Sequence, residues 1–561
     1  MAPALNASGY ALLLSIIVLQ LSMFASCTES VIQPKLQKLF GTAQTAAAQT
    51  KLLAMLDMAI NIPKLKFEIL SYRIPEMDEP GAADFAKALI SMAAAGADCS
   101  PEWIAAVRKY FVLNVANITT KLPNVWGKRQ AFPALRRMVF AQLVKSWLTR
   151  MQRQLPQHLE DELQQMFLEL YEAHRVVATR KGIMEYFHIS KAGGSSWCHA
   201  AKNNGCRAQI YEASFVCQIK QFDDNVRWLN GSFHRGLTGR YTRWGTWGRA
   251  IRRHTNFTTC TQRHEFAALM GYQYFSNEYT LHEGFDDPEN VGICPQFFNV
   301  IIIRNPRKRL LSHLKFVIFQ MKWDYEDDKL FNRTYWGTDS RFWDKFGPVL
   351  VDNYMLRGML GEKVYHAPIG SLGAPEVARA CAILQQYDLV IDLEEGHDVV
   401  DQVMELGVGW PHTLREIHDK DSAKAGAWLN LNYGDYLPRD LDYLYDRQKL
   451  DMELYIFGRV LVRLDALLLS VVKSLGAKPL PWLDFDRLHG NPHATLCGLL
   501  RLGPRLPNST EERWMPNEFQ SRVNAEMQAA RQAGVVAAAE RAARGDAWRA
   551  LALARMSDRA Q

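Results

Sequence analysis

Short runs rich in β-branched and aromatic residues recur along the middle of this chain, and helical periodicities fill the gaps between them. Ile183–Ile189 and Phe297–Ile303 read as buried strands of a parallel sheet, and Tyr272–Leu281 reads as a strand too. After Ile303 the pattern changes period: Leu310, Leu311, Leu314, Val317 and Ile318 recur at helical spacing. Asn305 is a good N-cap and Pro306 suits the first helical position. Strands alternating with helices predict an α/β fold, a P-loop-like parallel sheet flanked by helices. Residues 29–180 read as helical, with alanine-rich segments broken at Pro63, Pro75, Pro80 and Pro101 and an amphipathic run at Glu160–Leu170. They carry no catalytic signature and are expected to form a stem, an oligomerisation element or a packed helical subdomain. From residue 476 onward Pro- and Gly-marked loops lead to an Ala/Arg/Glu-rich tract, Asn517–Arg555, expected to be a helical tail.

The chemistry gathers where predicted strands end. Phe187-His188-Ile189-Ser190-Lys191-Ala192-Gly193-Gly194-Ser195-Ser196-Trp197 runs out of a strand into a helix start. Glycines let backbone N–H groups turn toward an anion, hydroxyls add donors, and a helix N-terminus adds partial positive charge. The order differs from the nucleotide-triphosphatase P-loop, where the lysine follows the second glycine; here Lys191 precedes adjacent glycines. A second anion element follows the Phe297–Ile303 run, as Arg304-Asn305-Pro306-Arg307-Lys308-Arg309-Leu310-Leu311-Ser312. Arg304 at a strand's carboxyl end and Ser312 on the next helix are placed to hold another phosphate.

Together these pieces resemble the PAPS-dependent sulfotransferases, specifically the Golgi carbohydrate branch related to heparan sulfate 2-O- and 6-O-sulfotransferases. Lys191–Ser196 matches that family's 5′-phosphosulfate loop, with Ala192 and the serines in place of threonines. Arg304–Ser312 matches its 3′-phosphate element, with Asn305 in place of the usual aspartate. Asp352–Arg357, Tyr387–Ile391 and Asp451–Tyr455 resemble three later pieces in the correct order. The resemblance implies a sulfotransferase domain over residues 181–475, using PAPS as co-substrate and no metal. It implies that Lys191, Ala192, Gly193, Gly194, Ser195, Ser196, Trp197, Arg304 and Ser312 bind PAPS, with Lys191 also following charge on the bridging oxygen.

A general base must also take a proton from the acceptor hydroxyl. His282 precedes Arg304 by 22 positions, comparable to a histidine of the 2-O-sulfotransferase-like members. Histidine titrates near neutral pH, so His282 is the first candidate. Glu283 and Glu278 compete, because some branches of the family use a carboxylate.

Charge adds little: 66 Lys+Arg against 59 Asp+Glu suits an anionic partner without the dense basic tract that reads nucleic acid. Arg235–Arg249 interleaves arginines with Tyr241, Trp244 and Trp247, and reads either as a glycan-acceptor surface or as a solvated loop around two buried tryptophans. Tyr10–Ser26 is uncharged and apolar, so residues 1–28 read as a signal anchor or a cleaved signal peptide. Either delivers the rest to the secretory lumen, as a type II Golgi membrane protein in the first case. Acceptor asparagines at 117, 230, 256, 332 and 508, and Cys198, Cys206, Cys217, Cys260 and Cys294 as disulfide candidates, agree with that compartment. Two other readings stand beside the sulfotransferase: an ATP-dependent kinase, and an inactive membrane-tethered glycan-binding protein. The kinase lacks a metal-binding aspartate after a strand. An inactive protein would have no physical need to keep Lys191, Arg304 and Ser312 together.

Overall fold

The computed structural model describes residues 30–42, 45–73, 99–108, 132–209, 216–246, 257–282, 290–325, 336–417, 431–478 and 497–500. All of them belong to one compact unit that runs to Leu502. In chain order the elements that build the site are helices α1 (Ile32–Phe40), α2 (Ala46–Arg73), α3 (Phe132–Thr149) and α4 (Gln157–Lys181), then strand β1 (Met184–Phe187). Next come α5 (Gly194–Asn203), α6 (Gly231–Thr238), β2 (Tyr274–Asn277), β3 (Phe298–Ile303) and α7 (Pro306–Tyr325). Helix α8 (Tyr354–Met359), strand β4 (Leu389–Asp392) and helix α9 (Lys449–Ser474) complete the set.

The four strands form one parallel sheet in the order β2-β1-β3-β4, with every strand residue buried. Helices cover it, as the continuous apolar runs require. Phe187 pairs with Asn277 on one side and Ile301 on the other, so β1, β2 and β3 end side by side. Ligands of such sheets sit at this carboxyl edge.

The N-terminal helices pack onto the α/β body instead of standing apart as a stem. On α3, Arg136 and Arg137 are 1% and 0% exposed. Both pair with Asp465 of α9, at 2.7 and 2.5 Å. Arg137 also donates to the carbonyls of Gln385 (2.8 Å) and Tyr387 (2.7 Å), at the entrance to β4. Burial alone would push the Asp465 carboxyl up, but Arg137 and Arg136 hold it below the usual carboxylate range. Arg137→Ala takes one of its two arginines from this carboxylate and leaves two buried carbonyls without that donor. Breaking such a buried pair costs about 3–5 kcal/mol, a loss to be read in the midpoint of chemical denaturation.

Helix α9 closes the domain by a reciprocal clamp. Asn353, in the left-handed region at φ 47, accepts from the backbone N–H groups of Leu450 and Asp451 through Oδ1, both at 3.1 Å. Asp451 returns the bonds, accepting from Met355 N (2.9 Å) and Leu356 N (2.8 Å) at the start of α8. Tyr455 donates to Asp392 at the end of β4 (3.0 Å). Arg357 turns its guanidinium on Asp352 and the carbonyls of Val364, Tyr365, Ala367 and Pro368. The three later sequence pieces therefore brace the fold.

The five expected cysteines are all paired, as Cys198–Cys217, Cys260–Cys294 and Cys206–Cys497, with Cys497 as the additional partner. The last bridge holds residues 497–500 on the body, where Leu499 N donates to Val408 O (2.8 Å) and Leu500 O accepts from Gln273 (2.8 Å). This part of the expected extension is thus integrated. Of the acceptor asparagines, Asn230 lies among the described residues, and its Oδ1 caps α6 by accepting from Phe233 N (3.0 Å). Tyr10–Ser26 and Asn517–Arg555 lie outside the described residues. No described helix is long and apolar enough to cross a membrane.

Candidate functional site

The loop after β1 is shaped by two left-handed residues, Lys191 (φ 69) and Gly193 (φ 87). Left-handed residues of this kind are found in the turns that form anion nests. Gly193 is the N-cap of α5, and no side chain caps that terminus. A Cβ on Gly194 would lie 1.9 Å from Nε2 of His188, so the loop has room only for hydrogen there. Ser195 and Ser196 follow in the first turn, half-buried. Two expected anion donors are occupied internally: the Ala192 amide donates to Ile189 O (3.0 Å) and the Trp197 amide to Gly193 O (2.9 Å). The Trp197 ring is fully buried against Trp410, 4.8 Å between centroids. These two residues therefore shape the loop without offering it their amides.

The second anion element arrives on the neighbouring strand. Asn305 Oδ1 accepts from the amides of Arg307 (3.1 Å) and Lys308 (3.3 Å), the predicted N-cap of α7. Arg304 then reaches across to β1, its Nη1 donating to the Lys191 carbonyl at 2.9 Å. Its Nε donates to Glu394 just past β4 (3.2 Å), and Lys308 pairs with the other oxygen of Glu394. Along α7, Ser312 and Phe316 are one turn apart on the same face. The Lys191 ammonium lies 4.2 Å from the Phe316 ring centroid, a cation–π contact that places Lys191 beside that face. The structure thus brings Lys191, Gly193, Gly194, Ser195, Ser196, Arg304 and Ser312 to one edge of the sheet.

Beside Lys191 lies a hydrogen-bonded cluster centred on Ser190. Its hydroxyl donates to Glu278 Oε1 (2.8 Å), the residue immediately after β2. It accepts from the Trp228 indole N–H (3.1 Å) and lies 2.8 Å from the Tyr354 hydroxyl. His188 Nδ1 is 3.4 Å from the same Glu278 oxygen. Burial, with the charge of Glu278 nearby, pushes the Tyr354 hydroxyl up to about 12, so it stays a donor. His313 of α7 packs edge-on against Trp228 (4.6 Å) and receives a hydrogen bond on Nδ1 from Arg309 (3.0 Å). Burial, then the charges of Arg309, Lys191 and His188, hold it well below the usual histidine range, hence neutral.

His282 is elsewhere in character. It is 1% exposed, with Nε2 2.5 Å from Glu185 Oε1 and Nδ1 3.3 Å from Arg263. Burial alone would raise the Glu185 carboxyl, but His282 and Arg263 hold it below the ordinary range. A base must meet its proton directly or through one water, and a histidine held on both nitrogens inside the core is badly placed for that. Glu283 lies outside the described residues. Glu185, His282 and Cys294 sit close enough to suggest a metal trio, but Cys294 is bonded to Cys260 and offers no thiolate.

The residues that sequence reasoning passed over as site groups are His188, Trp228, His313, Tyr354 and Glu394. His188 and Tyr354 lie inside quoted segments and could have been found there; Trp228 and Glu394 carried no local signal. The fold is that of a mixed α/β protein with a parallel four-stranded sheet flanked by helices. No family model, curated protein or solved structure matches the chain.

Proposed function

We propose that this chain is a sulfotransferase that moves a sulfuryl group from PAPS to a hydroxyl of a carbohydrate acceptor. The observation that carries the reading is the hydrogen bond from Arg304 to the Lys191 carbonyl. It ties the loop after β1 to the end of β3, so that one nucleotide with phosphate at both its 5′ and 3′ ends would meet both elements. The first-turn amides of α5, with Ser195 and Ser196, hold the 5′ group. Arg304 and Ser312 take the 3′-phosphate, which displaces Glu394 from Arg304 and Lys308. Lys191 neutralises the oxygen that leaves the sulfur.

Glu278 replaces His282 as the proposed base. It directly follows β2, the strand next to β1, and Ser190, one residue before Lys191, already donates to it. In the reaction Glu278 accepts the proton of the acceptor hydroxyl, the acceptor oxygen bonds sulfur, and the bridging bond to PAP breaks. Ser190 holds the carboxylate in place, with His188 Nδ1 3.4 Å away. The three disulfides and the apolar N-terminal segment support a secretory-lumen location, membrane-tethered in the Golgi. Incubating the full-length protein with radiolabelled PAPS and a glycan panel should transfer label to at least one glycan. Label that moves from γ-labelled ATP with magnesium, and never from PAPS, makes the protein a kinase.

A further inference from the structure

The end of β4 and the turn after it carry Asp392, Glu394 and Glu395, and these carboxylates face two different ways. Asp392 accepts from Tyr455 (3.0 Å) and lies 3.2 Å from Arg459 Nε. Glu395 accepts from Arg459 (2.9 Å) and lies 3.4 Å from Arg463. All three partners belong to α9, so these two carboxylates tie the turn to the closing helix. Glu394 turns toward the anion elements instead. One of its oxygens accepts from Arg304 Nε (3.2 Å), the other pairs with Lys308, and its side chain is 21% exposed.

Arg304 and Lys308 are cations of the second anion element, and Ser312 stands one helical turn beyond Lys308 on the same face of α7. A single carboxylate charge thus already sits on two cations. The backbone beneath it is pinned. Leu393 N donates to Ile303 O at the end of β3 (2.9 Å), and Glu394 N donates to Asp392 Oδ1 (3.0 Å). Leu393 also faces the first anion element, since a Cβ on Gly193 would meet its Cδ1 at 3.4 Å. With the turn fixed on both sides, a change of rotamer at Glu394 is enough to free both cations.

We propose that Glu394 is a tethered counter-ion that sets a threshold on the second anion element, one that a phosphate monoester crosses and a phosphodiester does not. The inference rests on the sulfotransferase reading, in which Arg304 takes a 3′-phosphate, and names the competitor this phosphate must beat. Being part of the chain, the Glu394 carboxylate competes at high effective concentration. A diester brings one charge, no more than Glu394 already supplies, and gains nothing by displacing it. A monoester carries about 1.5–2 negative charges and three acceptor oxygens at pH 7. It can therefore meet Arg304, Lys308 and the Ser312 hydroxyl together. Its contact with two cations outweighs repulsion from a carboxylate that has swung into water, where charges are screened. A ligand that engages this element binds less tightly by the fraction of molecules in which Glu394 has let go.

The test is a set of binding titrations on the full-length parent, Glu394→Gln and Glu395→Gln. The probes are PAP, the 3′-methyl diester of PAP, ADP and inorganic phosphate. Glutamine keeps the shape of Glu394 and gives up its charge, so Glu394→Gln should bind PAP about tenfold tighter and inorganic phosphate about threefold tighter or more. The diester should match ADP in the parent and bind more tightly than ADP in Glu394→Gln. ADP brings nothing to Arg304, so its unchanged affinity shows that the variant is folded. Glu395→Gln removes a charge from the same turn, but its partners are Arg459 and Arg463, and it should bind every probe as the parent does. An equal gain in Glu395→Gln, or a diester that already binds the parent more tightly than ADP, overturns the proposal. So does a parent that prefers PAP to ADP while Glu394→Gln changes neither PAP nor phosphate binding, a result that leaves the sulfotransferase reading standing. If Glu394→Gln binds inorganic phosphate more tightly but neither protein prefers PAP to ADP, the counter-ion stands and the sulfotransferase reading fails.

Discussion

Lys191→Ala should cut sulfuryl transfer by about 10²–10³-fold, the usual loss when one preorganised charge is removed from a reaction centre. The ammonium is held against Phe316 at 4.2 Å, on the face of α7 that carries Ser312, so it lies between the two anion elements. Its carbonyl, not its side chain, receives the Arg304 bond, and alanine keeps that carbonyl. The loop should therefore stay folded while its charge disappears. Both turnover and PAP affinity should fall, because the lysine meets the nucleotide in the ground state and the leaving oxygen in the transition state. Lys191→Arg should recover part of the affinity and less of the turnover, since a planar fork cannot follow a moving point of charge. Turnover within a few-fold of the parent in Lys191→Ala would remove the lysine from the mechanism.

The second large effect separates two acidic–histidine pairs that look alike in sequence. Glu278→Gln should lower turnover by about 10²–10⁴-fold with PAP binding nearly unchanged, the share of a general base that touches only the acceptor. Glutamine keeps the shape and can still accept from Ser190, so the folded site persists. His282→Ala should act differently. It leaves the buried Glu185 carboxylate without the histidine at 2.5 Å, and should cost about 3–5 kcal/mol of stability. Turnover per folded molecule should then stay within a few-fold of the parent. The two variants are to be compared by denaturation and by initial rates on the same preparations. A stable, inactive His282→Ala beside an active Glu278→Gln would return the base to His282.

The sheet and the start of α7 were legible because local signals there agree with one another. The apolar runs at Ile183–Ile189 and Phe297–Ile303 contain β1 and β3, and Asn305–Pro306 starts α7 as capping chemistry predicts. The different surroundings of Glu278 and His282 were not legible. Both follow β2 within five residues, and which side chain turns toward Ser190 depends on how the chain doubles back against Gly292. Arg136 and Arg137 look like the polar face of a surface helix, yet Asp465 and the carbonyls before β4 draw them into the core. Cys497 pairs with a residue 291 positions away, a distance over which spacing carries no information. Ala192 and Trp197 were read as anion donors because they sit in the loop, but a tight turn uses some of its own amides.

The most direct test of the central claim is thermal stabilisation by PAP against ADP at equal concentration. Arg304 and Ser312 have a ligand to hold only if a 3′-phosphate is present. One charge-assisted contact is worth about 1.5–3 kcal/mol, so PAP should bind about 10- to 100-fold tighter and raise the melting temperature clearly more. Arg304→Ala should erase most of the difference. Equal shifts for PAP and ADP, or a larger shift with ATP and magnesium, would contradict the account.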